Sequence, residues 1–205
     1  MSTMMANERE LRLGQLRGAL QQLMEVPDSE WNVFSELFRV RTFAKHDFLL
    51  REGESSDPCF FLCEGLVRFF YVTPDGKEFN KSFLLANQFA ASLSTSLLQI
   101  PTRFSMQALE DVVALEASLT KVRDLFERHV CWERLGRVIA EQLAIKKELR
   151  ECSFLLDSAE TRYLNFLQEY PGLEERITQY HIASYLGITN VALSRIRRKI
   201  REVSG

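Results

Sequence analysis

Residues 176–203 read R-I-T-Q-Y-H-I-A-S-Y-L-G-I-T-N-V-A-L-S-R-I-R-R-K-I-R-E-V, and this stretch decides how the rest of the chain is read. Ile182, Ala183, Tyr185 and Leu186 recur at helical spacing behind a candidate N-cap, Thr178, and the pattern stops at Gly187. Leu193, Ile196 and Ile200 resume it at steps of three and four behind Thr189, so a second helix starts near Asn190. A small residue at the crossing (Ala183), a glycine able to adopt positive φ (Gly187) and an apolar corner plug (Ile188) are what a helix-turn-helix needs. The outward face of the second helix carries Asn190, Ser194, Arg195, Arg197, Arg198 and Arg201. A guanidinium can fork to guanine or hold a phosphate, and an amide can pair with adenine. From Asn190 onward five Lys or Arg stand against one Glu, a charge of +4 in a chain of net −2, so the remainder carries −6. The competing reading is a solvated terminal helix whose cations complement its dipole.

Working outward, the 205 residues leave room for about two small domains. The sequence has no apolar run of membrane-spanning length and no signal-peptide pattern at its start, so a cytoplasmic protein is expected. Cys59, Cys63, Cys131 and Cys152 lie in apolar patterns rather than at metal-ligand spacing and read as reduced thiols of a core or seam. His46, His129 and His181 are far apart, which weakens a metal-cupin reading, and no metal is expected. No nucleophile elbow, phosphate loop or dinucleotide fingerprint is present.

The first six residues have nothing to bury and are expected to be disordered. Asn7 with Glu10 suggests a capping box, followed by a helix with Leu13, Leu16, Leu20 and Leu23 in one stripe up to Pro27. A second helix from Ser29 places Trp31, Phe34, Leu37 and Phe38 together. From Phe38 to Glu116 short apolar strands alternate with turn clusters such as Glu52-Gly53-Glu54 and Pro74-Asp75-Gly76, which predicts an all-β domain of jelly-roll type. Residues 89–98 interrupt it as a short helix. Its start, with Ser92, Ser94 and nearby Arg103, could hold an anion, or it is a serine-capped connection beside a surface arginine.

Helical period returns at Thr120. Cys131, Leu135, Val138, Gln142, Ile145, Leu149 and Cys152 alternate four and three apart, a heptad seam suited to self-association, with Gln142 as a register-setting polar residue. A second row, Trp132, Gly136, Ile139 and Leu143, would face the β-domain. Alternatively both rows form one wide face against the chain's own core. Asp157 or Ser158 then caps a helix ending at Pro171-Gly172, the first of a three-helix DNA-binding unit that shows no obvious wing. The expected architecture is α+β: an N-terminal helix (1–27), a jelly-roll-like β-roll (28–119), a central dimerisation helix (120–155) and a helix-turn-helix unit (156–205).

This order, with Ile182-Ala183-x-x-Leu186-Gly187-Ile188, Leu193-Ser194-Arg195-Ile196 and the roll glycines Gly53 and Gly65, resembles the Crp/Fnr family of bacterial transcription regulators over nearly the whole chain. The resemblance implies a homodimer joined through Leu135, Val138, Gln142, Ile145 and Leu149. It implies double-stranded DNA as a partner, met by Thr189, Asn190, Val191, Ser194, Arg195, Arg198 and Lys199, and RNA polymerase as a further partner. It also implies a small effector in the roll, possible contacts being Ala91, Ser92, Ser94, Thr102 and Arg103. Cyclic-nucleotide-binding members carry a Gly-Glu pair at the helix start and an Arg followed by a small hydroxyl residue. Here Ala91-Ser92 and Thr102-Arg103 match those positions, so weak or no cyclic nucleotide binding is expected, and the effector stays open between a small anion, a nucleotide-like molecule and no ligand. The recognition helix also departs from the Arg-Glu-x-x-x-Arg set of the best-known family member, with Asn190, Val191 and Arg195 there. Competing functions are a ligand-binding module acting on a protein partner and a cupin-like enzyme. The first leaves the basic face unexplained.

Overall fold

The order of elements in this computed structural model, which describes residues 2–204 and the side chains of residues 6–202, is helices, then strands, then helices. Helices α1 (Ser2–Gln21) and α2 (Asp28–Glu36) come first. Strands β1 (Arg39–Phe43), β2 (Phe48–Leu50), β3 (Pro58–Glu64), β4 (Val67–Val72), β5 (Glu78–Leu84) and β6 (Phe89–Ala91) follow. Helix α3 (Leu93–Leu98) separates them from β7 (Ser105–Ala108) and β8 (Val112–Ser118). After α4 (Leu119–Asp124) and a 3₁₀ turn, the long α5 (Val130–Leu156) leads to α6 (Ala159–Glu169), α7 (Leu173–Arg176), α8 (Gln179–Leu186) and α9 (Asn190–Ser204). The eight described strands form an antiparallel β-roll of two four-stranded sheets, β1-β8-β3-β6 and β2-β7-β4-β5.

Two compact units divide the chain. One comprises Met1–Tyr71 and Phe83–Ala140, the other Val72–Ser82 and Glu141–Gly205. In the first, β3 shows how the roll forms: successive residues point to opposite faces, so Phe60 and Leu62 enter the space between the sheets while Phe61 and Cys63 face the helices. Between the sheets they meet Leu50, Val67, Phe69, Leu84, Phe104 and Met106. On the outer face they meet Leu13, Leu16 and Leu20 of α1, Trp31 and Phe34 of α2, and Trp132 and Leu135 of α5. Gly65 turns β3 into β4 at φ +97°, and a β-carbon there would lie 2.4 Å from the Asp111 carbonyl oxygen, so the close approach needs glycine.

Several expectations are corrected. The first helix begins at Ser2 rather than at a capping box on Asn7, so residues 2–6 are helical; Met1 lies outside the described residues. The missing partner of its leucine stripe is the outer face of the roll. Cys131 and Leu135 are 4% and 6% exposed, packed in the core of the first unit, so this end of the expected seam is already covered. Along the same helix Gln142, Ile145 and Leu149 are exposed and Val138 is half-buried. The upper part of α5 therefore follows the single-wide-face reading, with Trp132 and Leu135 in one core. Glu30 of α2 fixes that end: its buried carboxylate accepts from Trp132 Nε1 and Arg128 Nε, both at 3.0 Å. The bond from Trp132, followed by those from Arg128, holds the Glu30 carboxyl below the usual carboxylate range. Cys59 and Cys63 are buried in β3, and burial pushes their thiols up to about 12 and about 11. Cys152 is exposed.

Candidate nucleic-acid interface

In the second unit, α6, α8 and α9 enclose an aromatic core. Phe166, Tyr170 and Tyr185 form a triangle with ring centroids 5.5–5.7 Å apart, and Ile182, Ala183, Leu186 and Leu193 fill the space beside them. Gly187 ends α8 at φ +69°, the left-handed conformation the turn requires, and the Ile188 amide bonds back to the Ala183 carbonyl at 3.0 Å. Thr189 caps α9, its hydroxyl accepting from the Ala192 amide at 3.1 Å. Thr178 stands at the cap position of α8, but its side chain makes no capping bond. The segment after Pro171-Gly172 holds a further one-turn helix, α7, that period alone did not reveal.

The inner part of the unit is tied to the lower half of α5. Lys146 forms an ion pair with Glu169 at 2.7 Å, and Tyr185 donates to the same carboxylate at 2.8 Å. Burial would raise the Glu169 carboxyl, but these partners hold it below the usual range. Arg150 stacks 3.8 Å over the Tyr185 ring and donates to the Tyr185 carbonyl at 3.0 Å.

The outer face of α9 is open. Thr189, Asn190, Val191, Ser194, Arg195, Arg198 and Lys199 are all exposed, Val191 to 62%. Ser194 donates to Gln179 Oε1 of α8 at 3.2 Å, and these two residues with Arg197, Arg198 and Arg201 line a notch of about 210 Å³. Three guanidinium groups around this notch suit an anion such as a phosphate. Arg197 also reaches Glu174 at 3.5 Å and Arg198 reaches Glu202 at 3.8 Å. Lys199 is held by Glu160 at 2.6 Å, so part of its charge is already matched. Gln179, Arg197 and Arg201 thus join the candidate set; the sequence placed both arginines on the outward face, but only folding brings Gln179 beside them.

The expected effector residues lie in the first unit. Ser92, 1% exposed, shares a hydrogen bond with Thr95 at 2.9 Å and lies 3.4 Å from the half-buried Ser94 hydroxyl. Thr102, also 1% exposed, donates its hydroxyl to the Phe104 carbonyl at 3.2 Å. Arg103 next to it, in the bend before β7, is exposed, while Phe104 turns inward and packs on Phe69 with centroids 5.7 Å apart. No carboxylate stands at Ser92 for a ribose hydroxyl, and Thr102 supplies no charge for a cyclic phosphate. Half-buried Ala91 offers only backbone. A groove of about 510 Å³ elsewhere on the roll is lined by Arg39, Arg41, Asp57, Glu116 and Lys121, among others, and by none of these effector candidates. There Glu116 pairs with both Arg39 and Arg41, at 3.0 and 2.7 Å. Among the described residues no group of His, Cys, Asp and Glu could hold a metal ion, and no helix is long and apolar enough to cross a membrane.

Comparison with known proteins places this geometry. The family model of the cyclic nucleotide-binding domain matches residues 40–129, somewhat less than half of the chain. The fold is that of Crp/Fnr-type regulators. FixK2 from Bradyrhizobium japonicum aligns with a TM-score of 0.69 at 19% identity, covering 82% of this chain and 86% of that one. The c-di-GMP-responsive global regulator CLP from Xanthomonas campestris aligns with a TM-score of 0.66 at 12% identity, covering 82% and 89%. A transcriptional regulator of the Crp/Fnr family from Eubacterium rectale aligns with a TM-score of 0.64 at 16% identity, covering 86% and 84%. No curated protein sequence matches the chain.

Proposed function

We propose that this protein is a homodimeric, cytoplasmic DNA-binding transcription regulator of Crp/Fnr type, a binding protein rather than an enzyme. The observation that carries the reading is the open, cationic face of α9 beside the notch formed by Gln179, Ser194, Arg197, Arg198 and Arg201. In this reading α9 enters the major groove, with Asn190, Val191, Ser194 and Arg195 toward base edges and Arg198, Lys199 and Arg201 toward phosphates. The exposed Gln142, Ile145 and Leu149 support pairing of two chains along α5, which would set two recognition helices against two half-sites. RNA polymerase is the further partner that such a regulator serves. The roll takes a small anion or no ligand rather than a cyclic nucleotide, because Ser92 and Thr102 are engaged in neutral hydrogen bonds where a carboxylate and an arginine would be needed. Selection of duplexes from a randomised pool, followed by titration at two salt concentrations, tests the reading. A DNA reader selects a roughly two-fold symmetric sequence and loses affinity steeply with salt. Absence of any selected sequence overturns it.

A further inference from the structure

Within the second unit, the hairpin segment that opens β5 packs on α8. In the order β2-β7-β4-β5, the sheet stops at β5, and the backbone groups along an outer edge need partners other than a strand. At that edge the Asn80 amide donates to Ser184 Oγ at 2.9 Å, and Ser184 Oγ donates to the Glu78 carbonyl at 3.1 Å. One hydroxyl of α8 thus stands in for a neighbouring strand residue, satisfying a donor and an acceptor two residues apart. The Asn80 side chain, 3% exposed, adds to the latch: its amide nitrogen donates to the His181 carbonyl at 2.9 Å and lies 3.2 Å from His181 Nδ1. His181 and Ser184 occupy the side of α8 turned away from Ile182, Ala183, Tyr185 and Leu186, which are buried in the unit's own core. All of these residues belong to the second unit, where the hairpin segment Val72–Ser82 joins the C-terminal helices.

We propose that Ser184 and Asn80 are positioning residues for DNA recognition, a role that rests on reading α9 as the recognition helix. They touch no base. They fix α8 to the hairpin segment Val72–Ser82 of the same unit, and because α8 and α9 share one core, they fix the attitude at which α9 presents Arg195 and the notch. The exposed residues of α9 stay exposed in the latched state, so the latch orients the reading face without masking it. A dimer that must meet two half-sites at once depends on the attitude of both recognition helices, whereas a single half-site is met by one helix whatever its attitude. Loosening the latch therefore adds ordering cost to paired recognition alone.

The test uses the full-length protein, a palindromic duplex that the wild type selects from a randomised pool, and a duplex carrying one half of it. Ser184→Ala removes both hydroxyl bonds from a half-buried position and leaves the aromatic core intact. The expected result is a loss of about tenfold in affinity for the palindrome, equivalent to one or two hydrogen bonds, with the half-site affinity changed less than about twofold. Asn80→Ala, which breaks the side-chain contacts to His181 from the other side, is expected to give the same split and serves as the second variant. Equal loss on both duplexes, no loss on either, or tighter binding to the palindrome each overturns the proposal. A wild-type protein that selects no duplex overturns the reading of α9 and the latch together.

Discussion

Leu149→Asp probes the exposed half of α5 with a change whose size follows from the structure. Leu149 is 65% exposed and Ile145, one turn earlier, is 58% exposed, so the folded chain offers both for burial by a partner. Complete burial of a leucine contributes about 1.5–3 kcal/mol, and covering two-thirds of it in each of two protomers gives about 3 kcal/mol for a dimer. The aspartate removes that contribution and brings two carboxylates into the seam, each needing desolvation beside the other. Dimer dissociation should therefore strengthen by more than about a hundredfold, read by sedimentation velocity over a dilution series. DNA affinity should fall with it, because half-sites are then met singly. Leu135→Ala is the contrasting variant. At 6% exposed it sits in a finished core, so it should cost about 2–5 kcal/mol of folding stability by denaturant titration while dimer dissociation stays near the wild-type value. A Leu149→Asp protein that stays dimeric at wild-type concentrations would move the seam off this face and refute the reasoning.

Arg195→Ala should relax base preference at one position of each half-site and cost about 1–3 kcal/mol, whereas Arg198→Ala should weaken all duplexes similarly and lower the salt slope by about one. Lys199→Ala should have a smaller effect than Arg198→Ala, since Glu160 already holds that ammonium; duplex titrations at several salt concentrations compare the three. Calorimetry with cyclic AMP and cyclic GMP should show no binding in the low micromolar range or tighter; tight binding would mean that Ser92 and Thr102 are misjudged. Lys81 supplies a pH test. Burial, reinforced by Lys147, lowers its ammonium to about 8 from 10.5, so between those values the folded state binds fewer protons than the unfolded one. Its contribution to stability then rises with pH through that window, the cost of the charged form being fully present below it. Lys81→Met should remove this upward slope relative to wild type in urea titrations from about pH 7 to about pH 10.

The α8–turn–α9 segment was legible because its special positions are encoded locally. A glycine at positive φ, a threonine cap and a small crossing residue each act within a few residues of sequence, and Gly187, Thr189 and Ala183 are found in those roles. The roll was legible from turn chemistry and from the alternation in β3, where Phe60 and Phe61 do go to opposite cores. The covering of α5 was not. Periodicity says that Leu135 and Leu149 share a stripe, but what buries a stripe depends on which surfaces arrive, and α1, α2 and the roll arrive only at its first turns. Gln179 in the notch and Asn80 against His181 were invisible for a related reason. Both meetings join residues distant in sequence through groups whose types are common on any surface. The start of α1 was misplaced because Asn7 and Glu10 match a capping pattern, while the helix continues past them toward Ser2.

Ile145 and Lys146 are consecutive in α5, as are Leu149 and Arg150, and each pair is separated by about 100° around the helix axis. One member of each pair is exposed and the other holds the core of the second unit, Lys146 through Glu169 and Arg150 through Tyr185. The helix therefore behaves as a shaft with a gear cut on one side and a key on the other. Turning the exposed side to engage a second chain at a different register would carry the aromatic triangle and α8 round with it. If two chains pair along α5 as proposed, a rotation of that helix about its axis would swing the face that carries Arg195.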